Sequence, residues 1–295
     1  MDFGRILTAM VTPFDNELEV DYLKAEDLAK HLVANGSDGI VVAGTTGESP
    51  TLSKKEKYKL FEVVKGAVGD KNKVIAGTGS NNTRDTIEMT KEAEAIGVDG
   101  VMLVVPYYNK PCQEGLYAHF KAVAESTSLP IMLYNIPGRS VVNLTPDTVA
   151  KLAKLDNIVA IKEAAGNLDQ VVELVRALPK EFKIYSGDDA LTLPMLALGC
   201  HGIVSVVGHV VGNSMSQMIK SYLQGDVAKA AELNKDLFPI FKGMFMTTNP
   251  VPIKEALTQK VMNVGGVRLP LIPANEHVKL KVSELLEYAK ANNLS

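Results

Sequence analysis

The chain of 295 residues has no tryptophan, only two cysteines and only five histidines. Cys112 and Cys200 form no CxxC pair, and so few cysteines in a chain of this length indicate a reducing compartment. The histidines include no HxH or HExxH spacing, which argues against a zinc site. We therefore expect a protein that uses no metal and no cofactor.

An excess of positive charge and long apolar runs are also missing. The net charge is -3 without a basic cluster, so nucleic acid is not an expected partner. No run approaches the roughly 18 apolar residues of a membrane span. The first residues, MDFGRILTAMVTPFD, carry too few positive charges and too short an apolar run for a signal peptide. These absences predict a cytoplasmic globular protein that binds no membrane.

Short β-branched apolar segments alternate with longer segments of helical period. The predicted strands are Ile6–Thr12, Gly39–Ala43, Val74–Gly77, Gly100–Val104, Pro130–Tyr134, Ile158–Lys162, Lys183–Ser186 and Gly202–Val206. Between them lie the predicted helices Asp21–Asn35, Lys54–Val68, Thr83–Ile96, Leu116–Ser126, Thr145–Leu155 and Leu168–Leu178. This alternation predicts an α/β fold, a (β/α)8 or TIM barrel. An open doubly wound sheet is disfavoured because no GxGxxG follows the first strand.

Beyond the eighth predicted strand the pattern is helical only. Four segments have helical period: Ser214–Leu223, Asp226–Met246, Pro252–Val261 and Asn275–Ala291. We predict a catalytic barrel over residues 1–224 and a C-terminal helical domain over residues 225–295, which packs on the barrel or extends an oligomer surface.

The predicted sixth strand, within NIVAIKEA at 157–164, ends in a lysine and a glutamate rather than in a turn residue. Alternation places Ile158, Ala160 and Lys162 on one face, so the lysine points to the barrel mouth if the other two line the interior. Glu163 then faces the helices, in a structural role. A buried lysine can attack a carbonyl and form a Schiff base, because burial lowers its pKa from about 10.4 and frees the amine. The alternative is a lysine that extends into solvent.

Other polar residues follow neighbouring strands, and the carboxyl ends of barrel strands share one face. The segment GTTG at 44–47 offers amides and hydroxyls to a carboxylate, or is an ordinary turn. Tyr134 and Tyr108 are suited to transfer protons together with Thr45, or to pack in a core. Arg139 is suited to grip a second carboxylate, or to form a surface salt bridge.

Five motifs occur in one chain and in this order: GTTGE at 44–48, PYYN at 106–109, YNIPGR at 134–139, IKEA at 161–164 and SGDD at 186–189. Together they resemble the dihydrodipicolinate synthase family, a branch of the class I pyruvate-dependent aldolases that also include N-acetylneuraminate lyase. The resemblance covers essentially the whole chain, and any one motif alone would be a weak indication.

The resemblance implies roles for individual residues. Lys162 matches the lysine that forms a Schiff base with pyruvate. Thr45, Tyr134 and Tyr108 match a proton relay in which Tyr108 reaches the neighbouring subunit's site. The implied pyruvate pocket comprises Thr45, Thr46, Gly187 and Val204. Arg139 matches the arginine that binds the carboxylate of L-aspartate 4-semialdehyde, and Tyr107 matches a tyrosine stacked at a tight-dimer interface.

The implied reaction condenses pyruvate with L-aspartate 4-semialdehyde to 4-hydroxy-tetrahydrodipicolinate, on the route to diaminopimelate and lysine. The implied assembly is a homotetramer of two tight dimers. An alternative is a retro-aldol lyase that acts on N-acetylneuraminate or a 2-keto-3-deoxy sugar acid through the same lysine. Sialic-acid lyases lack an arginine in the loop after strand five, so Arg139 favours the synthase. A third interpretation is a non-catalytic barrel that senses a small keto acid.

One departure from the family concerns feedback inhibition by lysine. The implied regulatory pocket comprises Ser49, Lys54, Lys57, Asn81, Asp85 and Tyr107. Inhibited members have histidines or acidic residues where this chain has Lys54 and Lys57. Two ammonium groups repel a cationic effector unless nearby charges compensate them. We therefore expect weak or absent inhibition by lysine.

Overall fold

The computed structural model describes residues 2–295, which form a closed barrel of eight parallel strands inside a ring of helices. The first half contains β1 (Ile6–Ala9), α1 (Tyr22–Ala34), β2 (Gly39–Val42), α2 (Lys54–Val68), β3 (Lys73–Gly77), α3 (Thr83–Ile96), β4 (Gly100–Val104) and α4 (Gln113–Ala124). The second half contains β5 (Ile131–Asn135), α5 (Pro137–Ser140), α6 (Pro146–Leu152), β6 (Ile158–Glu163), α7 (Leu168–Ala177), β7 (Lys183–Ser186), α8 (Thr192–Ala197) and β8 (Gly202–Ser205). Strand β8 pairs with β1 and closes the ring, which confirms the predicted barrel.

The chain beyond β8 is helical, as predicted. It forms α9 (Gly208–Leu223), α10 (Val227–Gly243), α11 (Val251–Lys260) and α12 (Glu276–Ala291). The domain boundary at residue 224 falls in the short link between α9 and α10 and stays a prediction. Across residues 2–295, no helix combines the length and apolar character needed to cross a membrane.

Local sequence signals account for several helix boundaries. Helix α2 begins at a capping box, in which the Ser53 hydroxyl accepts from the Glu56 amide and the Glu56 carboxylate accepts from the Ser53 amide. Helix α3 is capped at its start by Asn82, whose side chain accepts backbone hydrogen bonds, and at its end by Gly97 with φ of 87°. These caps explain why α2 and α3 have the predicted boundaries. The four-residue helix α5 was not predicted, because one turn is too short to show a helical period.

Two apolar layers hold the barrel together. Inside it, an inner cluster includes Leu7, Val41, Ile75, Met102 and Met132, drawn from β1 to β5. A larger outer cluster fills the space between the strands and the helices. The interior of the barrel is therefore a packed core.

Strand β6 departs from simple alternation at its start. Ile131 of β5 pairs with Ile158, but the next pair is Met132 with Ala160, so the register shifts by one residue. Ile158 consequently packs in the outer cluster, whereas Ala160 packs in the inner one. The expectation that Ile158 shares a face with Ala160 and Lys162 was wrong, because a bulge changes the side of the preceding residue. Regular alternation resumes at Ala160, which faces the interior. Lys162, two residues later, is therefore still expected to point inward.

Strand β1 ends at Ala9 and not at Thr12 as predicted, because the amide of Val11 bonds to a histidine and not to a neighbouring strand. The Val11 amide donates to Nε2 of His209 at 3.1 Å, and Nδ1 of the same ring lies 2.7 Å from the Val206 carbonyl. His209 is fully buried at the seam between β1 and β8. One nitrogen accepts and the other donates, so the ring must be neutral to satisfy both contacts.

We expect His209 to make the barrel less stable in acid. Burial lowers the pKa of His209 to about 4, against 6.5 for a free histidine. Between these values the unfolded chain binds the additional proton, so this stabilisation is lost as the pH falls from 6.5 towards 4. The pKa of Asp189, which burial raises to about 6, acts in the opposite direction and offsets part of the loss.

Urea unfolding at pH 7 and pH 5 measures this effect. The variant His209→Gln keeps a donor and an acceptor but has no proton to gain, so its stability should fall by about 2 kcal/mol less than that of the wild type. Equal pH dependence in the two proteins would show that His209 does not carry the acid sensitivity.

Candidate active site

A cavity of about 220 Å³ opens at the carboxyl ends of β2 to β5. Five residues singled out from the sequence line it: Thr45, Ser49, Tyr107, Tyr134 and Arg139. Ala43 and Gly44, just after β2, also line it, and the wall is completed by Pro50, Gly77, Gly79, Met102, Val104, Ile136 and Ser140. A Cβ atom on Gly79 would collide with the backbone of Val104, so this wall requires glycine. The cavity is compact and places hydroxyls opposite one arginine.

Lys162 lies beside this cavity at the end of β6. It pairs in register with Tyr134 of β5, and its Nζ lies 4.1 Å from the centroid of the Tyr134 ring. The side chain points inward and the residue is 6% exposed. In the described part of the chain Lys162 forms no ion pair, whereas the other deeply buried lysine, Lys254, contacts Glu48 at 2.7 Å. An amine buried on an aromatic face without a carboxylate is placed to meet a carbonyl that enters the cavity.

Two further residues of the implied pyruvate pocket, Gly187 and Val204, lie just after β7 and within β8. A Cβ atom on Gly187 would sit 3.1 Å from Cε of Lys162 and closer still to Ala164. Glycine at this position therefore leaves room for the lysine stem. Val204 of β8 is 1% exposed and packs in the inner cluster. Neither residue lines the cavity of β2 to β5, and Gly187 borders the stem of Lys162.

The loop after β2 presents Thr45 and Thr46 differently. Thr45 lines the cavity, but Thr46 is 3% exposed and its hydroxyl oxygen accepts a hydrogen bond from Nδ2 of Asn249 at 2.9 Å. Asn249 lies just before α11, in the C-terminal helical extension. The sequence motifs did not include Asn249, because the two residues are 203 positions apart.

Arg139 and the two tyrosines of PYYN sit at the rim. Arg139 belongs to α5, which begins at Pro137 directly after β5. Tyr107 lines the cavity and is 37% exposed, whereas Tyr108 is 90% exposed and does not line it. The backbone of Tyr108 has φ of 74°, a conformation that is strained for a tyrosine. Tyr108 therefore does not reach Tyr134 within one chain.

The implied regulatory residues lie on one side of the rim. Nδ2 of Asn81 donates to the Tyr107 carbonyl at 3.2 Å. Lys54 contacts Asp85 at 2.8 Å and Glu88 at 2.9 Å, so its charge is compensated locally. Burial, with a smaller contribution from Lys54, lowers the pKa of Lys57. The repulsion of a cationic effector therefore depends mainly on Lys57. Weak inhibition by lysine stays a prediction.

Glu163 faces away from Lys162, as expected. Its carboxylate accepts from Asn135 Nδ2 at 3.0 Å, from Gln170 Nε2 at 3.0 Å and from the Ala165 amide at 2.7 Å. Burial raises the pKa of Glu163, and these hydrogen bonds oppose the rise. They also join the ends of β5 and β6 to α7, which fixes the strand end that carries Lys162.

A second feature that the sequence did not indicate is a buried charge cluster under the loop after β2. Glu48 and Lys254 contact at 2.7 Å with side chains only 1% and 4% exposed, although the angle is not that of a hydrogen bond. Nζ of Lys254 also donates to the Gly266 carbonyl at 2.6 Å and lies 4.1 Å from the Phe14 ring centroid. The Arg268 amide donates to Glu48 at 2.9 Å. The cluster ties the loop to the C-terminal extension.

Comparison with known proteins agrees with the fold. Residues 2–289 match the model of the dihydrodipicolinate synthetase family. The 4-hydroxy-tetrahydrodipicolinate synthase of Desulforudis audaxviator is 58% identical over 290 residues, which are 98% of this chain and 99% of that protein. The crystal structure of dihydrodipicolinate synthase from Bacillus anthracis superposes with a TM-score of 0.96 at 50% identity, over 97% of this chain and 98% of that chain. The lysine-bound structure of DHDPS from Cyanidioschyzon merolae has a TM-score of 0.96 at 48% identity, over 98% of both chains. The chain therefore belongs to the dihydrodipicolinate synthetase family.

Proposed function

We propose that this protein condenses pyruvate with L-aspartate 4-semialdehyde to give 4-hydroxy-tetrahydrodipicolinate, the reaction that opens a route to diaminopimelate and lysine. The observation that carries the proposal is the Lys162 amine, buried against Tyr134 beside a cavity lined by Thr45 and Arg139. The relatives reported above bear the name of this enzyme, which supports the same reaction.

The first stage forms an imine on Lys162. The free amine attacks C2 of pyruvate, and the carbonyl oxygen leaves as water after two protons reach it. The iminium then withdraws electrons from the neighbouring methyl group, which loses a proton and becomes a nucleophilic enamine. Tyr134 and Thr45 line the cavity beside Lys162 and are assigned to move these protons. Thr46, with Thr45, is assigned to the pyruvate carboxylate, and Gly187 and Val204 to the walls behind it.

The second stage joins the two substrates. The enamine carbon attacks the aldehyde carbon of the semialdehyde, and the aldehyde oxygen takes up a proton as a hydroxyl group. The substrate's own amine then attacks C2 and displaces the Lys162 amine, which closes the ring and regenerates the enzyme. Arg139 is assigned to the semialdehyde carboxylate, since its guanidinium can donate two parallel hydrogen bonds at the cavity rim.

We further propose that the relay is completed across a subunit interface. Tyr108 is 90% exposed and turned away from its own cavity, which suits insertion into a neighbouring chain, and Tyr107 is suited to stack beside the same interface. The proposed assembly is a homotetramer of two tight dimers, and the proposed location is the cytoplasm.

A coupled assay with pyruvate and L-aspartate 4-semialdehyde tests the function. We expect turnover with this pair and no cleavage of N-acetylneuraminate or a 2-keto-3-deoxy sugar acid. Cleavage of a sugar acid without semialdehyde turnover would favour the retro-aldol lyase. Failure of borohydride to trap pyruvate on the protein would favour a keto-acid sensor.

The substitution Arg139→Ala tests the second substrate. A charge-assisted hydrogen-bonding partner contributes about 1.5–3 kcal/mol, so the KM for the semialdehyde should rise roughly 10- to 100-fold. The KM for pyruvate and imine formation should stay unchanged. The matched control is Arg176→Ala at the end of α7, outside the cavity, which should behave like the wild type. Unchanged semialdehyde kinetics in Arg139→Ala would show that the assignment is wrong.

A further inference from the structure

The Thr46 hydroxyl is held by a residue from the C-terminal extension. Nδ2 of Asn249 donates to Oγ1 of Thr46 at 2.9 Å, and the two residues are 6% and 3% exposed. A threonine hydroxyl has two acceptor lone pairs and one donor hydrogen. Because the asparagine amide occupies a lone pair, the hydroxyl hydrogen is directed away from Asn249 and stays available to an acceptor.

The segment that carries Asn249 is tied to the loop after β2. It lies two residues before Val251, where α11 begins, and Lys254 follows within the first turn of that helix. Lys254 contacts Glu48, so α11 and its approach touch the loop after β2 at two points, Thr46 and Glu48. Two contacts of this kind restrict both the position of the loop and the rotation of the Thr46 side chain.

We propose that Asn249 is a positioning residue that orients the Thr46 hydroxyl to donate to the carboxylate of pyruvate. The inference rests on the proposed function, because it takes pyruvate as the ligand beside Lys162. Asn249 acts through Thr46 and contacts no substrate. The C-terminal extension therefore contributes to substrate binding as well as to packing.

The experiment measures pyruvate binding without the second substrate, as the pyruvate concentration that gives half-maximal borohydride trapping. In Asn249→Ala this concentration should rise about tenfold, as expected for a well-placed hydrogen bond to a charged group. In Thr46→Val it should rise at least as much. In the double variant it should stay within about twofold of Thr46→Val alone, since the contact is already lost. The KM for the semialdehyde should be unchanged in Asn249→Ala.

The control is Asn234→Ala, which removes an asparagine of α10 that does not line the cavity and should leave trapping unchanged. If Asn249→Ala does not fold, Asn249→Leu provides the same comparison, because leucine keeps the branched shape of the side chain without its hydrogen-bonding groups. The proposal would be overturned if Asn249→Ala raised the half-maximal pyruvate concentration by the same factor in the wild type and in Thr46→Val. Unchanged trapping in a folded Asn249 variant would overturn it as well. Failure of wild-type trapping would instead overturn the proposed function. Normal trapping without semialdehyde turnover would overturn only the identity of the second substrate.

Discussion

Replacing Lys162 with methionine should abolish imine formation and lower kcat by at least about 10⁴-fold, the scale on which loss of a catalytic nucleophile acts. Methionine is unbranched and apolar, so it can follow the path of the lysine stem past Gly187 and onto the Tyr134 ring. Without the amine, pyruvate cannot become an enamine, and no other side chain at the cavity can replace that step.

The stability of the Lys162→Met variant distinguishes catalysis from folding. Lys162 is buried without an ion pair in the described part of the chain, so methionine removes a desolvated amine and should leave the melting temperature equal or higher. Lys281→Met, on the exposed face of α12, is the matched control and should retain full activity. Residual turnover well above about 0.01 per cent in Lys162→Met, or loss of folding together with activity, would contradict the assignment.

Replacing Lys254 with methionine should lower the free energy of unfolding by about 3–5 kcal/mol, because it leaves the Glu48 carboxylate buried without its partner. The change also removes the donor to the Gly266 carbonyl and the cation on the Phe14 ring. Glu48 belongs to the loop that carries Thr45 and Thr46, so we also expect weaker pyruvate trapping. The measurement is equilibrium unfolding in urea.

The double variant Glu48→Gln/Lys254→Met isolates the buried charge. It should be more stable than Lys254→Met alone, because neither member of the pair is then left charged and unpaired. As a control, Lys281→Met breaks an exposed contact with Glu284 and should change stability by no more than about 1 kcal/mol. Additive losses in the double variant would show that the pair does not act as a unit.

The barrel could be predicted from the sequence because its signals are local. Strand β4 and helices α2 and α3 have their predicted boundaries, since apolar runs and caps are written in neighbouring residues. The bulge at Ile158 could not be predicted, because it depends on how β6 pairs with β5. The early end of β1 likewise depends on His209, almost 200 residues away in sequence.

The candidate site also combines residues that local sequence patterns predict with residues that they do not. Lys162 and Tyr134 lie at strand ends, and Thr45 and Arg139 follow strands. The barrel topology alone brings such residues to one face. Asn249 and Lys254 come from the helical extension, whose path over the barrel no local pattern encodes. Tyr108 illustrates another limit, since its exposed side chain has a role only if a second chain covers it.

The central claim is that Lys162 forms a Schiff base with pyruvate. Treating the wild-type protein with pyruvate and borohydride, digesting it and sequencing the peptides by mass spectrometry locates any reduced adduct among its lysines. We predict one adduct per chain, on Lys162, and none when pyruvate or borohydride is omitted. An adduct on another lysine, or no adduct under conditions that support turnover, would contradict the account.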